Sequence, residues 1–196
     1  TAAGSTPADF QVELNVSYDA SMSPDFSDLR FIRYRDNATV CDYWIEEQVN
    51  GAWATVWVEI PDAITTSNTT LLWMYYGSPN ATSRTNGSAT FLFFDDFSDG
   101  VYRDRWNVDT NTGQAGVAYQ LGGKLFLRTR EVGRTIGLTT NGACTATFSD
   151  TDGVTLAHDV WTRYSPPYPS GNAGSLQSYL VNADNTSTWI QGAYGG

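Results

Sequence analysis

The stretch "ATVWVEI", residues 54–60, decides the fold class. Successive side chains of an extended chain point to opposite faces, so Val56, Val58 and Ile60 fall on one side and Thr55, Trp57 and Glu59 on the other. Upstream, "FQVELNVSY", residues 10–18, repeats the alternation: Phe10, Val12, Leu14, Val16 and Tyr18 against Gln11, Glu13, Asn15 and Ser17. Both read as strands half buried on a core, at residues 53–60 and 10–18. Further strand signals, punctuated by Gly, Pro, Asn and Asp, fall at residues 29–34, 40–46, 70–76, 91–94, 117–120, 124–130, 134–139, 144–149, 154–164, 177–182 and 187–191. No segment sustains a helical period. The pattern predicts an all-β chain of two packed antiparallel β-sandwich or jelly-roll units with almost no helix.

One strand signal breaks the alternation. "LLWMYY", residues 71–76, is apolar on both faces, which suits the centre of a sheet or an interface. Asn-X-Ser/Thr triplets flank it, and six occur in all, beginning at Asn15, Asn37, Asn68, Asn80, Asn86 and Asn185. Twelve Asn and 40 Ser plus Thr in 196 residues would give about 2.4 by composition alone. Such a triplet accepts sugar only in an exported chain and at an exposed position. Asn15 lies on the polar face of its strand, Asn80 follows a Tyr-Gly-Ser-Pro turn, and Asn86 precedes a glycine. All six are candidate glycosylation sites, the alternative being idle triplets thrown up by a Thr-rich chain. Sugars in the turns around a central strand would decorate the rim and leave the core dry.

The charge balance narrows the partners. Eleven basic against 21 acidic residues give a net charge of −10, and Lys124 is the only lysine. Without a basic patch the chain is a poor partner for nucleic acid or anionic lipid. Charged residues make up only 16%, against about 25% in ordinary globular chains. No run of 18 apolar residues offers a membrane span. The chain opens at Thr1 without a basic, apolar leader, which fits a mature exported protein or a trimmed one. The two cysteines, Cys41 and Cys144, are either bridged, as an exported chain allows, or buried thiols.

The search for reactive chemistry finds little. His158, the only histidine, stands beside Asp159 without a G-x-S-x-G elbow, and one histidine with two cysteines makes no zinc site. Glycosidase carboxylates must converge at a set spacing, whereas Glu46 and Glu47 are adjacent and expected to point apart, and Glu59 and Glu131 stand alone. No enzymatic activity and no cofactor are therefore expected. Calcium is the remaining ligand candidate, through Asn107, Asp109 and Asn111 or Asp150 and Asp152, although turn-forming Asx residues are the commoner explanation. Trp44, Trp53, Trp57, Trp106, Trp161 and Trp189, with Tyr164 and Tyr168, supply rings for sugar stacking, but aromatic residues in β proteins mostly serve the core.

Four ordered blocks carry a family resemblance: "DFSDLRF" at 25–31, "DYWIEE" at 42–47, "TVWVEIP" at 55–61 and "WMYYGSPN" at 73–80. Together they resemble the domain of unknown function numbered 2341 over about residues 8–90. The next segment, "FFDDFSDGVYRDRWNV" at 93–108, resembles the opening of a concanavalin-like jelly roll, which often follows that domain in large surface proteins of prokaryotes and archaea. The resemblance implies an exported β-rich protein and no particular activity. Composition also shifts here, and the expected domains are residues 1–92 and 93–196.

These observations lead to a non-enzymatic extracellular protein, a glycosylated cell-surface or filament subunit that binds copies of itself. Strand donation is the expected mode, with residues 10–18 a better donor than residues 1–9. A lectin-like carbohydrate-binding module is the alternative.

Overall fold

A computed structural model of the chain describes residues 6–65, 69–109, 116–129, 137–140, 176–181 and 187–192. The described elements are β1 (Phe10–Ser17), β2 (Arg30–Arg33), β3 (Val40–Cys41), β4 (Tyr43–Val49), β5 (Trp53–Ile60), β6 (Leu72–Tyr75), α1 (Gly87–Thr90) and a 3-10 turn (Tyr102–Asp104). They continue with β7 (Trp106–Asp109), β8 (Gly116–Gln120), β9 (Leu125–Thr129), β10 (Gly137–Thr140), β11 (Leu176–Val181) and β12 (Ser187–Gly192). The protein is all-β, its sheets antiparallel. It divides into two compact units, Thr1–Val154 and Thr155–Gly196, and the composition shift near residue 92 lies inside the first.

Two three-stranded sheets build the first unit's core. Sheet one runs β1-β5-β4 and sheet two β3-β2-β6. All eight residues of β1 pair with β5, from Phe10 with Ile60 to Ser17 with Trp53. This register sets Val12, Leu14 and Val16 opposite Val58, Val56 and Ala54, so one face is wholly apolar. Those residues pack with Tyr43 from β4 and with Phe31 and Cys41 from sheet two; the Phe31 and Tyr43 rings meet edge to face at 5.3 Å. Met22, Phe26 and Leu29, from the loop before β2, close one side. Each such side chain contributes about 1.5–3 kcal/mol on burial.

The expected strand 40–46 is split. Cys41 belongs to sheet two and Tyr43 to sheet one, so the chain changes sheets at Asp42, whose carbonyl accepts the Glu59 N–H at 2.9 Å. Beyond it, a bulge between Ile45 and Glu47 resets the pairing of β4. The bulge overturns the expectation that Glu46 and Glu47 face apart. Glu46 accepts the Trp57 indole N–H at 2.8 Å, and Glu47 pairs with Thr55 on that same outer face.

Two other expectations are corrected. "LLWMYY" forms no central strand: β6 is the edge of sheet two, paired only with β2 among the described residues. Residues 91–94 form no strand, 91–93 being bends that follow α1, and Phe91 and Phe94 turn back over sheet one. Their rings lie 5.9 and 4.8 Å from that of Trp44, with Phe91 also 5.7 Å from Trp57. Gly87 leaves the space for this, since a Cβ there would stand 2.2 Å from the Phe94 ring.

Later elements form two-stranded ladders: β7 with β10, β8 with β9 and, in the second unit, β11 with β12. The β8–β9 hairpin turns on Gly122 and Gly123, both at positive φ, as the twist of a two-residue turn demands.

Candidate functional site

The four sequence blocks converge. Asp28, buried in the loop before β2, accepts the Ser23 N–H at 3.0 Å and the Gly77 N–H at 2.6 Å, fastening the turn after β6. Tyr43 donates its hydroxyl to the Leu29 carbonyl at 2.9 Å. A strap at residues 82–86 is then drawn along β4: Arg30 donates to the Thr82 carbonyl at 2.7 Å, Ile45 N–H to Thr85 Oγ1 at 2.8 Å and Asn86 N–H to the Tyr43 carbonyl at 2.8 Å. Backbone groups of Tyr43 and Ile45 are thereby partnered without a further strand.

The outer face of sheet two keeps several large apolar side chains partly exposed. Phe31, Cys41 and Met74 share its core side, so Ile32, Trp73 and Val40 point away from the core, followed by Tyr34, Leu71 and Tyr75. Tyr34, Trp73 and Tyr75 are 48, 44 and 47% exposed. Their rings form a row, 5.0 Å from Tyr34 to Trp73 and 6.4 Å from Trp73 to Tyr75. Scattered apolar residues on a surface are ordinary; here three exposed rings lie together beside an edge that no other described strand pairs.

Four candidate acceptors lie among the described residues, and all are exposed. Asn15 occupies the polar face of β1 opposite Thr55, whose hydroxyl donates to Oδ1 at 3.5 Å. Asn37 sits at φ 49° in the turn between β2 and β3 and accepts the Tyr75 hydroxyl at Oδ1, 2.9 Å away. Asn80 lies in the turn after β6. Asn86 caps α1, its Oδ1 accepting the Ala89 N–H at 3.2 Å. At Asn15, Asn37 and Asn86 these bonds engage Oδ1, leaving Nδ2, the atom that takes sugar, outside them. Asn68 and Asn185 lie outside the described residues, as do Cys144, His158, Asp159, Asn111, Asp150, Asp152, Trp161, Tyr164 and Tyr168. Cys41 is buried, and burial together with nearby carboxylates pushes its thiol up to about 11.

The other expected rings are mostly engaged. Trp44 and Trp57 lie under Phe91 and Phe94, and Trp106 packs on Phe93 at 5.1 Å while donating to Asp95 at 2.7 Å. Trp53 is partly exposed on β5, and Trp189 belongs to β12. Sequence reading missed Trp73, Tyr34 and Tyr75. The available signal was parity: residues 71, 73 and 75 share a face with the hairpin that carries Asn37.

Two open hollows flank the strap, of about 320 and 370 Å³. The larger holds Asp25, Glu46 and Glu47 beside Ser27 and Ser83. Asp25 is held below the usual carboxylate range by hydrogen bonds from Ser27, and Glu46 is bonded to Trp57. Asn107 and Asp109, the described members of the calcium candidate, lie on β7.

A tetrapeptide folds alike twice. In Asp25-Phe26-Ser27-Asp28 and Asp96-Phe97-Ser98-Asp99 the first aspartate accepts the serine N–H, at 3.1 and 3.0 Å, and phenylalanine adopts φ 56° and 55°. Phe26 is fully buried, which compensates the strained backbone. The first copy opens the stretch whose pattern decides the comparison with known proteins. Residues 25–109 match the family described as domain of unknown function (DUF2341). The matched segment holds both copies of the tetrapeptide, β2 to β7 and the whole exposed ring row. No curated protein and no solved structure matches the chain. Among the described residues, no helix is long and apolar enough to cross a membrane.

Proposed function

We propose that this protein is a non-enzymatic, glycosylated extracellular structural subunit, of a cell surface or filament, that associates with copies of itself along the β6 edge. The observation that carries the reading is β6 itself, which pairs only with β2 among the described residues and lies in a run bearing exposed Leu71, Trp73, Met74, Tyr75 and Tyr76. Backbone N–H and C=O groups on such an edge pair readily with another strand, and natural monomers blunt them with charge or proline. Residues 71–76 contain neither. The exposure of Asn15, Asn37, Asn80 and Asn86 supports the glycan half of the reading.

Of the expected donor, residues 10–18, Phe10–Ser17 pair fully with β5 of their own chain, so donation in trans would require β1 to leave its sheet. Edge pairing at β6 needs no such step. The carbohydrate-binding alternative is favoured by one observation, the exposed ring row of Tyr34, Trp73 and Tyr75.

Negative-stain electron microscopy of the natively exported protein, with its intact mass, tests the reading. Ordered polymers and a mass above 21.5 kDa are expected. Leu71→Lys with Met74→Lys, which puts charge on the edge, is expected to disperse the polymers while leaving the circular dichroism spectrum β-rich. Polymers that survive both substitutions, or a wild-type chain that is always monomeric, would overturn it.

A further inference from the structure

We propose that the row of Tyr34, Trp73 and Tyr75 is the seat of the sugar carried by Asn37, so that the protein covers its own apolar face with its own glycan. This rests on the reading of an exported, glycosylated chain. Asn37 belongs to an Asn-Ala-Thr triplet, and its Oδ1 already accepts the Tyr75 hydroxyl at 2.9 Å. Nδ2 shares that carboxamide, so a sugar rooted there starts beside the end of the ring row. Attachment forms a bond from the sugar's anomeric carbon to Nδ2 and breaks that carbon's bond to the phosphate leaving group of an activated glycosyl donor; one Nδ2 proton departs.

The root is held in place. Asp36 accepts the Ala38 and Thr39 N–H groups at 3.0 Å each and the Thr39 hydroxyl at 2.6 Å. The Asn37 N–H donates to the Arg33 carbonyl at 3.0 Å, and the Arg33 N–H to the Thr39 carbonyl at 2.8 Å. A fixed root loses little freedom when the sugar lies down, the usual advantage of preorganisation. The rings supply the complementary chemistry. Their electron-rich faces attract the polarised C–H groups on the flat side of a pyranose, while the sugar's hydroxyls stay in water. The same sheet leaves its β6 edge in the plane of the strands, perpendicular to the covered face. A glycan on the rings therefore suppresses random stacking between copies and leaves edge pairing open.

Hydroxyl-radical footprinting read residue by residue by mass spectrometry tests this on the full chain made in a glycosylating host. Three samples are compared: wild type, wild type after enzymatic removal of sugar from the folded protein, and Asn37→Gln. The same mass spectra report which triplets carry sugar. With Asn37 occupied, Tyr34, Trp73 and Tyr75 are expected to label several-fold less than in the other two samples, while exposed Tyr119 labels equally in all three. Equal labelling of the row despite an occupied Asn37 overturns the inference and leaves the glycosylated reading standing. So does an empty Asn37 when other triplets carry sugar. Sugar on no triplet overturns both. Protection that ignores the sugar but grows with protein concentration would seat a second copy on the row, and protection gained when free oligosaccharide is added to the sugar-free chain would make it a site for sugar in trans; either result overturns the inference.

Discussion

Glu59 occupies the outer face of β5, partly buried, near Asp9 and Asp42. Burial first, then the two carboxylates, push its acid group from the ordinary 4.5 up to about 7. A folded state that holds its proton more tightly than the unfolded chain is favoured at low pH. The stability linked to Glu59 is thus complete below pH 4.5 and declines as pH rises through 7. Thermal melts between pH 4 and 8 should fall across that window in the wild type and flatten in Glu59→Gln; parallel curves would refute the linkage. Asp36, Asp62 and Asp99 are shifted down, by hydrogen bonds from Thr39, Arg33 and Val101 respectively, so their losses belong to more acid conditions. The exposure of Asn15, Asn37, Asn80 and Asn86 was legible at this scale because it follows from alternation and turns. The paired outward turn of Glu46 and Glu47 was not, since a bulge is a property of two strands together and leaves no mark on one.

Strands with strict alternation were read almost residue for residue: residues 10–18 became Phe10–Ser17, and 53–60 is Trp53–Ile60. For "LLWMYY" the central-strand alternative fails for a physical reason. An apolar run records what a strand offers and says nothing about what covers it, so a central strand and an exposed edge look alike. The sheet change at Asp42 was hidden similarly, because residues 40–46 are uniformly strand-like and the break is imposed by partners distant in sequence. The pairing of β1 alters the outcome of shortening the chain. Deletion of residues 1–18 would strip β5 of its β1 partner along eight residues and expose Val56 and Val58. Each buried aliphatic side chain represents about 2 kcal/mol, enough for a few together to exhaust the stability of a typical domain. The shortened chain is therefore expected to lose its cooperative thermal transition by circular dichroism; a β-rich spectrum with a sharp melt would show that β1 is dispensable.

As a whole, the molecule carries 21 acidic against 11 basic residues, and four of its arginine–carboxylate contacts are internal, Arg33 with Asp36 and Asp62 and Arg105 with Asp95 and Asp99. Copies of such a chain repel at long range. The screening length falls from about 10 Å at 0.1 M salt to about 3 Å at 1 M, while apolar edge contact is unaffected or strengthened. Self-association followed by light scattering should therefore rise with sodium chloride. A fall would mean that ion pairs between copies hold the assembly.

Asp42 carries one further consequence. The same backbone belongs to sheet two at Cys41 and to sheet one at Tyr43, with the buried carboxylate of Asp28 and the Tyr43 hydroxyl knitting the loops on either side. Neither sheet can then peel away while the other stays closed. Their amide hydrogens are therefore expected to exchange through one shared opening event, and a load applied to either sheet to be borne by both.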